Sequence, residues 1–179
     1  MNPLPLIFIT LVIAATISVP VSHCRIMQLK GTNLIEETCK QTPHHDLCIH
    51  YLKSDPQSSK KDVTGLALIM INTMKTQANN ALDKIHHLLL QGSSEPALKQ
   101  ALNECAGRYR AIVEADVAQA NAGLQKGDPK FAENGANDAA IEATSCEKSF
   151  EGKKSPLTND NNAMHDVADI TAAIVRLLL

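Results

Sequence analysis

The sequence predicts an all-α protein: an antiparallel four-helix bundle preceded by a short N-terminal helical hairpin, closed by two disulfides. Three observations carry this. Aromatic residues make up 3% of the 179 residues, and Ala, Leu and Ile supply most of the apolar content, a composition that suits packed helices better than sheets rich in Val, Tyr, Phe and Trp. Apolar residues recur at spacings of three and four over four long stretches. Five cysteines, Cys24, Cys39, Cys48, Cys105 and Cys146, lie where two bridges could staple such helices.

The chain divides into residues 1–24, a targeting segment whose end is approximate, and a single domain over 25–179. The run Leu4 to Val19 is apolar and uncharged, Pro20 ends it, and the small-residue stretch Ser22-His23-Cys24 follows. This reads as a secretory signal, and the run is short for the ~30 Å of a bilayer core. No later segment is apolar enough to span a membrane. Removal of the leader at or just after Cys24 leaves four cysteines, an even count that in an exported chain implies two bridges and allows three connectivities.

The N-terminal hairpin runs from about Gly31 to Asp55. Leu34, Ile35 and Thr38 share one helical face. Thr42-Pro43 then reads as an N-cap followed by Pro at the first helical position, with Leu47, Cys48, Tyr51 and Leu52 after it. A Cys39–Cys48 bridge would close this hairpin, which is too short to bury much by itself. The first long helix spans about Asp62 to Gln91, on a stripe of Val63, Leu66, Met70, Met74, Ala78, Ala81, Leu82, Ile85 and Leu88, with Gly92 as its C-terminal stop. Ser94-Glu95-Pro96 opens the second, striped by Leu98, Ala101, Leu102, Cys105, Tyr109, Ile112 and Ala120. Gly127 stops it, and Asp128-Pro129 prevents its continuation.

A third helix is expected from Asn137 or Asp138, carrying Ala139, Ala143, Cys146 and Phe150 and ending at Gly152. A polar loop from Lys153 to about Asn161 leads to the last helix, striped by Met164, Val167, Ala168, Thr171, Ile174, Val175 and Leu178. Cys105 and Cys146 lie on the stripes of helices two and three. A bridge between them closes a loop of about forty residues, worth roughly 4 kcal/mol on the chain-entropy estimate. The favoured pairing is therefore Cys39–Cys48 with Cys105–Cys146.

Several function classes are excluded or disfavoured. The formal net charge of −2, with both signs scattered, gives no field that would steer the chain to nucleic acid or anionic lipid. There is no P-loop, dinucleotide fingerprint, nucleophile elbow or zinc-protease motif, and no CxxC spacing of the kind structural zinc uses. No catalytic residue, cofactor or metal site is expected. The histidines His44, His45, His50, His86, His87 and His165 read as surface or boundary residues; His86 and His87 point about 100° apart on one helix and chelate one ion poorly.

One connection carries residues of another kind. Gly127-Asp128-Pro129-Lys130-Phe131-Ala132-Glu133 is expected as a loop joining helices two and three. Beyond the leader the chain has only Phe131 and Phe150, and Phe131 stands here beside a cation and a stiffening proline. Residue types alone leave two readings: an exposed hot-spot anchor for a partner, or a hydrophobic staple packed under its own helix.

Taken together, Thr38-Cys39 with Cys48 nine residues on, Leu66-Ala67-Leu68-Ile69-Met70, Cys105, the Gly127 to Glu133 stretch, Cys146, Asp166-Val167-Ala168-Asp169-Ile170 and Ala173-Ile174-Val175-Arg176 resemble the plant invertase and pectin methylesterase inhibitor family. The resemblance covers about Gly31 to Leu179. It implies the bundle, hairpin and bridges proposed above, and a secreted protein that inhibits an enzyme without being one. Within the family, a Pro-Lys-Phe loop resembles the mark of the invertase-directed branch, where it occupies the sucrose pocket. Pro129, Lys130 and Phe131 match it. The implied partner is an acid invertase in a one-to-one complex, with Lys130 meeting the pair of carboxylates that glycoside hydrolases hold in their pockets, Phe131 filling an apolar spot and Pro129 presenting both. The alternative partner is a pectin methylesterase, bound through helix faces. The implied location is the cell wall apoplast, or alternatively the vacuole.

Overall fold

The computed structural model describes residues 32–92, 95–150 and 154–179. The leader read over 1–24, the helix-opening Ser94 and the helix-ending Gly152 lie outside them. Two short helices, α1 (Thr32–Cys39) and α2 (His45–Ser54), precede a single 3₁₀ turn (Ser58–Lys60). Then come α3 (Val63–Leu90), α4 (Pro96–Ala111), a π-helical turn (Ile112–Asp116), α5 (Val117–Lys126), α6 (Pro129–Lys148) and α7 (Thr158–Arg176). The π turn joins α4 to α5 into one rod, so the architecture is the expected hairpin plus four-helix bundle.

Each rod is helical for local reasons and held by its apolar face. Asp62 caps α3 by accepting from the backbone N–H of Gly65 at 2.8 Å, and Gly92 ends it at φ +69°, where a side chain would be strained. The predicted α3 stripe from Leu66 through Met70, Met74 and Ala78 to Ile85 is buried, as are Leu102, Cys105, Tyr109 and Ile112 across from it. Ala132, Ala136, Ala139 and Ala143 of α6 are fully covered; these small residues let α6 lie close against its neighbours. Met164, Val167, Ile170, Ile174 and Val175 complete the core from α7.

Both predicted disulfides are present. Cys39–Cys48 ties the end of α1 to the first turn of α2, and Cys105–Cys146 ties α4 to the last turn of α6. Across the hairpin, Lys53 Nζ lies 3.0 Å from Glu36 Oε1, and His44 Nε2 lies 3.4 Å from Asp166 Oδ1 on α7. These pairs are half exposed and orient the hairpin more than they stabilise it.

Three boundaries differ from the sequence reading. Helix α2 starts at His45, and Thr42 closes α1 instead of capping α2: its hydroxyl donates to the Cys39 carbonyl at 2.8 Å. Helix α7 starts at Thr158, inside the expected polar loop, because Asn161 points inward. Its side-chain oxygen accepts from the buried Tyr109 hydroxyl at 2.8 Å, while its amide donates to Glu147 at 2.6 Å. The third correction concerns α6 and bears on function.

Candidate functional site

The expected loop over 127–133 is not a loop. Helix α6 begins at Pro129, eight or nine residues before the expected cap at Asn137 or Asp138. Gly127 ends α5 at φ +70°. Its N–H donates to Leu124 and that of Asp128 to Gly123, at 3.3 and 2.8 Å, the paired bonds of a Schellman closure. Asp128 then acts in the opposite sense. Its carboxylate accepts from the Phe131 backbone N–H at 3.0 Å and so caps α6, with Pro129 at the first helical position, where a missing N–H costs nothing. One rod stops and the next starts within two residues.

Pro129, Lys130 and Phe131 therefore stand together on the first turn of a capped helix. The turn is braced from α5: the Gln119 side-chain amide donates to the Phe131 carbonyl at 3.4 Å. A Cβ at Gly123 would lie 2.5 Å from the Ala132 nitrogen and 2.8 Å from the Asp128 oxygen. A Cβ at Gly135 would lie 2.6 Å from the Asp116 carbonyl oxygen. Only glycine at these two positions allows α5 and α6 to approach this closely.

Phe131 is 42% exposed, whereas Phe150 and Tyr109 are buried at 5% and 0%. That exposure fits an anchor better than a staple packed under its own helix. Lys130 is already paired within the chain. Its Nζ donates to Glu133 Oε2 at 2.7 Å, one helical turn on. The other oxygen, Oε1, accepts from Arg176 Nε at 2.9 Å, at the end of α7. Glu133 is buried, and the hydrogen bond from Lys130, reinforced by that from Arg176, holds its carboxyl below the usual carboxylate range against the opposing effect of burial. Sequence reasoning missed both Glu133 and Arg176. The Lys130–Glu133 spacing of three was a readable signal; the approach of Arg176 from 43 residues away was not.

A second buried carboxylate lies nearby. Asp116, in the π turn, is 8% exposed, and its Oδ2 has no hydrogen-bond partner among the described residues. Burial, with Asp138 and Glu142 adding repulsion from α6, raises its pKa to about 6. Among the described residues, no three His, Cys, Asp or Glu side chains are placed to hold a metal ion, and no helix is long and apolar enough to cross a membrane. A shallow depression between α6 and α7, lined by Ile141, Thr144, His165 and Asp169, exposes 60% of Ile141.

Comparison with known proteins gives a consistent picture. The family model described as plant invertase/pectin methylesterase inhibitor matches residues 33–174. Cell wall / vacuolar inhibitor of fructosidase 1 of Arabidopsis thaliana is 44% identical over 142 residues, covering 79% of this chain and 67% of the relative. A pectinesterase inhibitor of Actinidia deliciosa is 30% identical over 175 residues, covering 96% of this chain and 93% of the relative. A crystal structure of a mutant pectin methylesterase inhibitor from Arabidopsis superposes with a TM-score of 0.69 at 19% identity, over 79% of this chain and 94% of that one, a likeness of fold.

Proposed function

The chain belongs to the plant invertase/pectin methylesterase inhibitor family, and we propose that it inhibits an acid invertase by seating the first turn of α6 in the sucrose-binding pocket. It is an inhibitor of an enzyme and not an enzyme. The observation that carries the reading is Phe131: a large apolar side chain left 42% exposed on a turn that is capped, proline-stiffened and braced from α5. A rigid anchor loses little freedom on binding, so more of its buried area appears as affinity. Lys130 stands beside it to meet the carboxylates of the pocket, and Pro129 fixes the angle at which both are offered. Similarity at 44% identity to an Arabidopsis inhibitor of fructosidase supports an invertase over an esterase.

On this reading the 1–24 leader is removed on export, and the protein acts in the cell wall or the vacuole as a one-to-one complex. The test is to titrate oxidised mature protein, residues 25–179, against an acid invertase at mildly acidic pH. Phe131→Ala is expected to weaken inhibition by about 2 kcal/mol, a thirtyfold loss. Undiminished inhibition by that variant would end the anchor role.

A second reading has its own observation. Ile141 is 60% exposed on the outward side of α6, and the match to the Actinidia pectinesterase inhibitor spans 96% of this chain. If a pectin methylesterase is the target, bound through helix faces, Ile141→Asp abolishes inhibition of that enzyme and Phe131→Ala leaves it intact.

A further inference from the structure

Resting on the invertase reading, we propose that Arg176, from the last turn of α7, is a second cation of the contact surface and binds a target carboxylate beside the one met by Lys130. Glu133 is the positioning residue that sets the two cations side by side. The geometry argues it. Glu133 presents a side chain only 6% exposed, and each of its oxygens takes one cation. The two cations stay in solvent, at 63% exposure for Lys130 and 55% for Arg176.

Charge makes the second cation necessary. Lys130 and Glu133 form a pair with no net charge, and a neutral pair gains little from entering a pocket of carboxylates. Arg176 restores one positive charge to the cluster. Its bond to Glu133 uses Nε alone. The two terminal amino groups of its guanidinium make no bond to any described residue, and they form the fork that matches a carboxylate in bidentate fashion. Leu177 and Leu179, 37% and 65% exposed, leave apolar surface at the same end of α7. The recognised chemistry is thus a second carboxylate at the mouth of the target pocket, within reach of the chain end of α7.

The experiment compares wild type, Arg176→Gln and Arg176→Lys as oxidised mature proteins, measuring the invertase inhibition constant from about 50 to 500 mM salt together with thermal unfolding of each free protein. Arg176→Gln is expected to weaken inhibition about tenfold at low salt and to flatten its salt dependence, because a charge at the interface has gone. Arg176→Lys keeps the charge and loses the fork, so it should retain the salt dependence with a smaller loss, and it serves if Arg176→Gln does not fold. A purely structural Arg176 would lower the unfolding temperature and leave the salt dependence as in wild type; that result overturns the proposal. So does unchanged inhibition by Arg176→Gln while wild type inhibits. Wild-type protein that leaves invertase untouched overturns this inference and the invertase reading together, which separates the two failures.

Discussion

Asp116 and Glu133 are both buried acids, yet their surroundings push them in opposite directions. The raised pKa of Asp116, about 6 against 3.8, means that the folded state holds this proton more tightly than the unfolded chain. Its contribution to stability is complete below about pH 4 and lost as the pH rises through about 6. Asp116→Asn is therefore expected to stabilise the protein at neutral pH by about 1–3 kcal/mol and to change little near pH 4, as urea unfolding at the two pH values would reveal. Glu133 has the reverse sign. Its pKa lies below the ordinary 4.5, so its contribution is present above that value and disappears as the pH falls through the lowered one. Glu133→Gln should flatten the acid limb of the stability curve; an unchanged acid limb would mean that the two cations do not act on it. Residue types singled out Lys130 and Phe131, a cation and an aromatic next to proline in an aromatic-poor chain, but left anchor and staple open, and only the family resemblance pointed to a contact surface. They could not show that Glu133 holds Lys130, since that depends on where a helix starts.

Helix α6 starts early because three residues carry two messages at once. Gly127 is a stop, Asp128 a cap and Pro129 a first helical residue; read as a stop alone, they make a loop of what is the opening of a helix. Gly135, seven residues into the helix, is not there to break it. It is there instead because the π-turn backbone passes through the space its Cβ would occupy, 2.6 Å from the Asp116 oxygen. Gly135→Ala, and likewise Gly123→Ala, must force α5 and α6 apart, at a cost of about 1–3 kcal/mol of overpacking. The loss should appear in thermal unfolding, and for Gly123→Ala also in inhibition, because the displaced backbone is that of the turn bearing Phe131. A Gly123→Ala protein as stable as wild type would mean that the close approach relaxes freely. The inward-facing polar start of α7 was equally hidden, since Asn161 becomes a core residue only through Tyr109 and Glu147 on other helices.

For the molecule as a whole, the bundle was legible because periodicity and cysteine placement both report on packing that extends over many residues. Neither signal depends on one boundary. Taken together, the two acids described above favour the folded state most near pH 4, where the Asp116 contribution has not yet been lost and Glu133 is still ionised. Reduction of Cys105–Cys146, the longer bridge with a separation of 41 residues, should remove about 4 kcal/mol in the chain-entropy estimate and broaden or abolish cooperative unfolding, whereas loss of Cys39–Cys48 should loosen chiefly the hairpin. The two-residue reversal at Gly127-Asp128 has one more consequence, for survival among digestive enzymes. Trypsin cleaves after lysine, and the Lys130–Phe131 bond follows a lysine and lies between two exposed residues. A protease must bind its substrate as an extended strand, and this bond lies in a capped helical turn that cannot be drawn out without opening the bundle. The oxidised protein should therefore keep this peptide bond intact under trypsin, as mass spectrometry of the fragments would show: the surface proposed to meet one hydrolase is folded so as to be unusable by another.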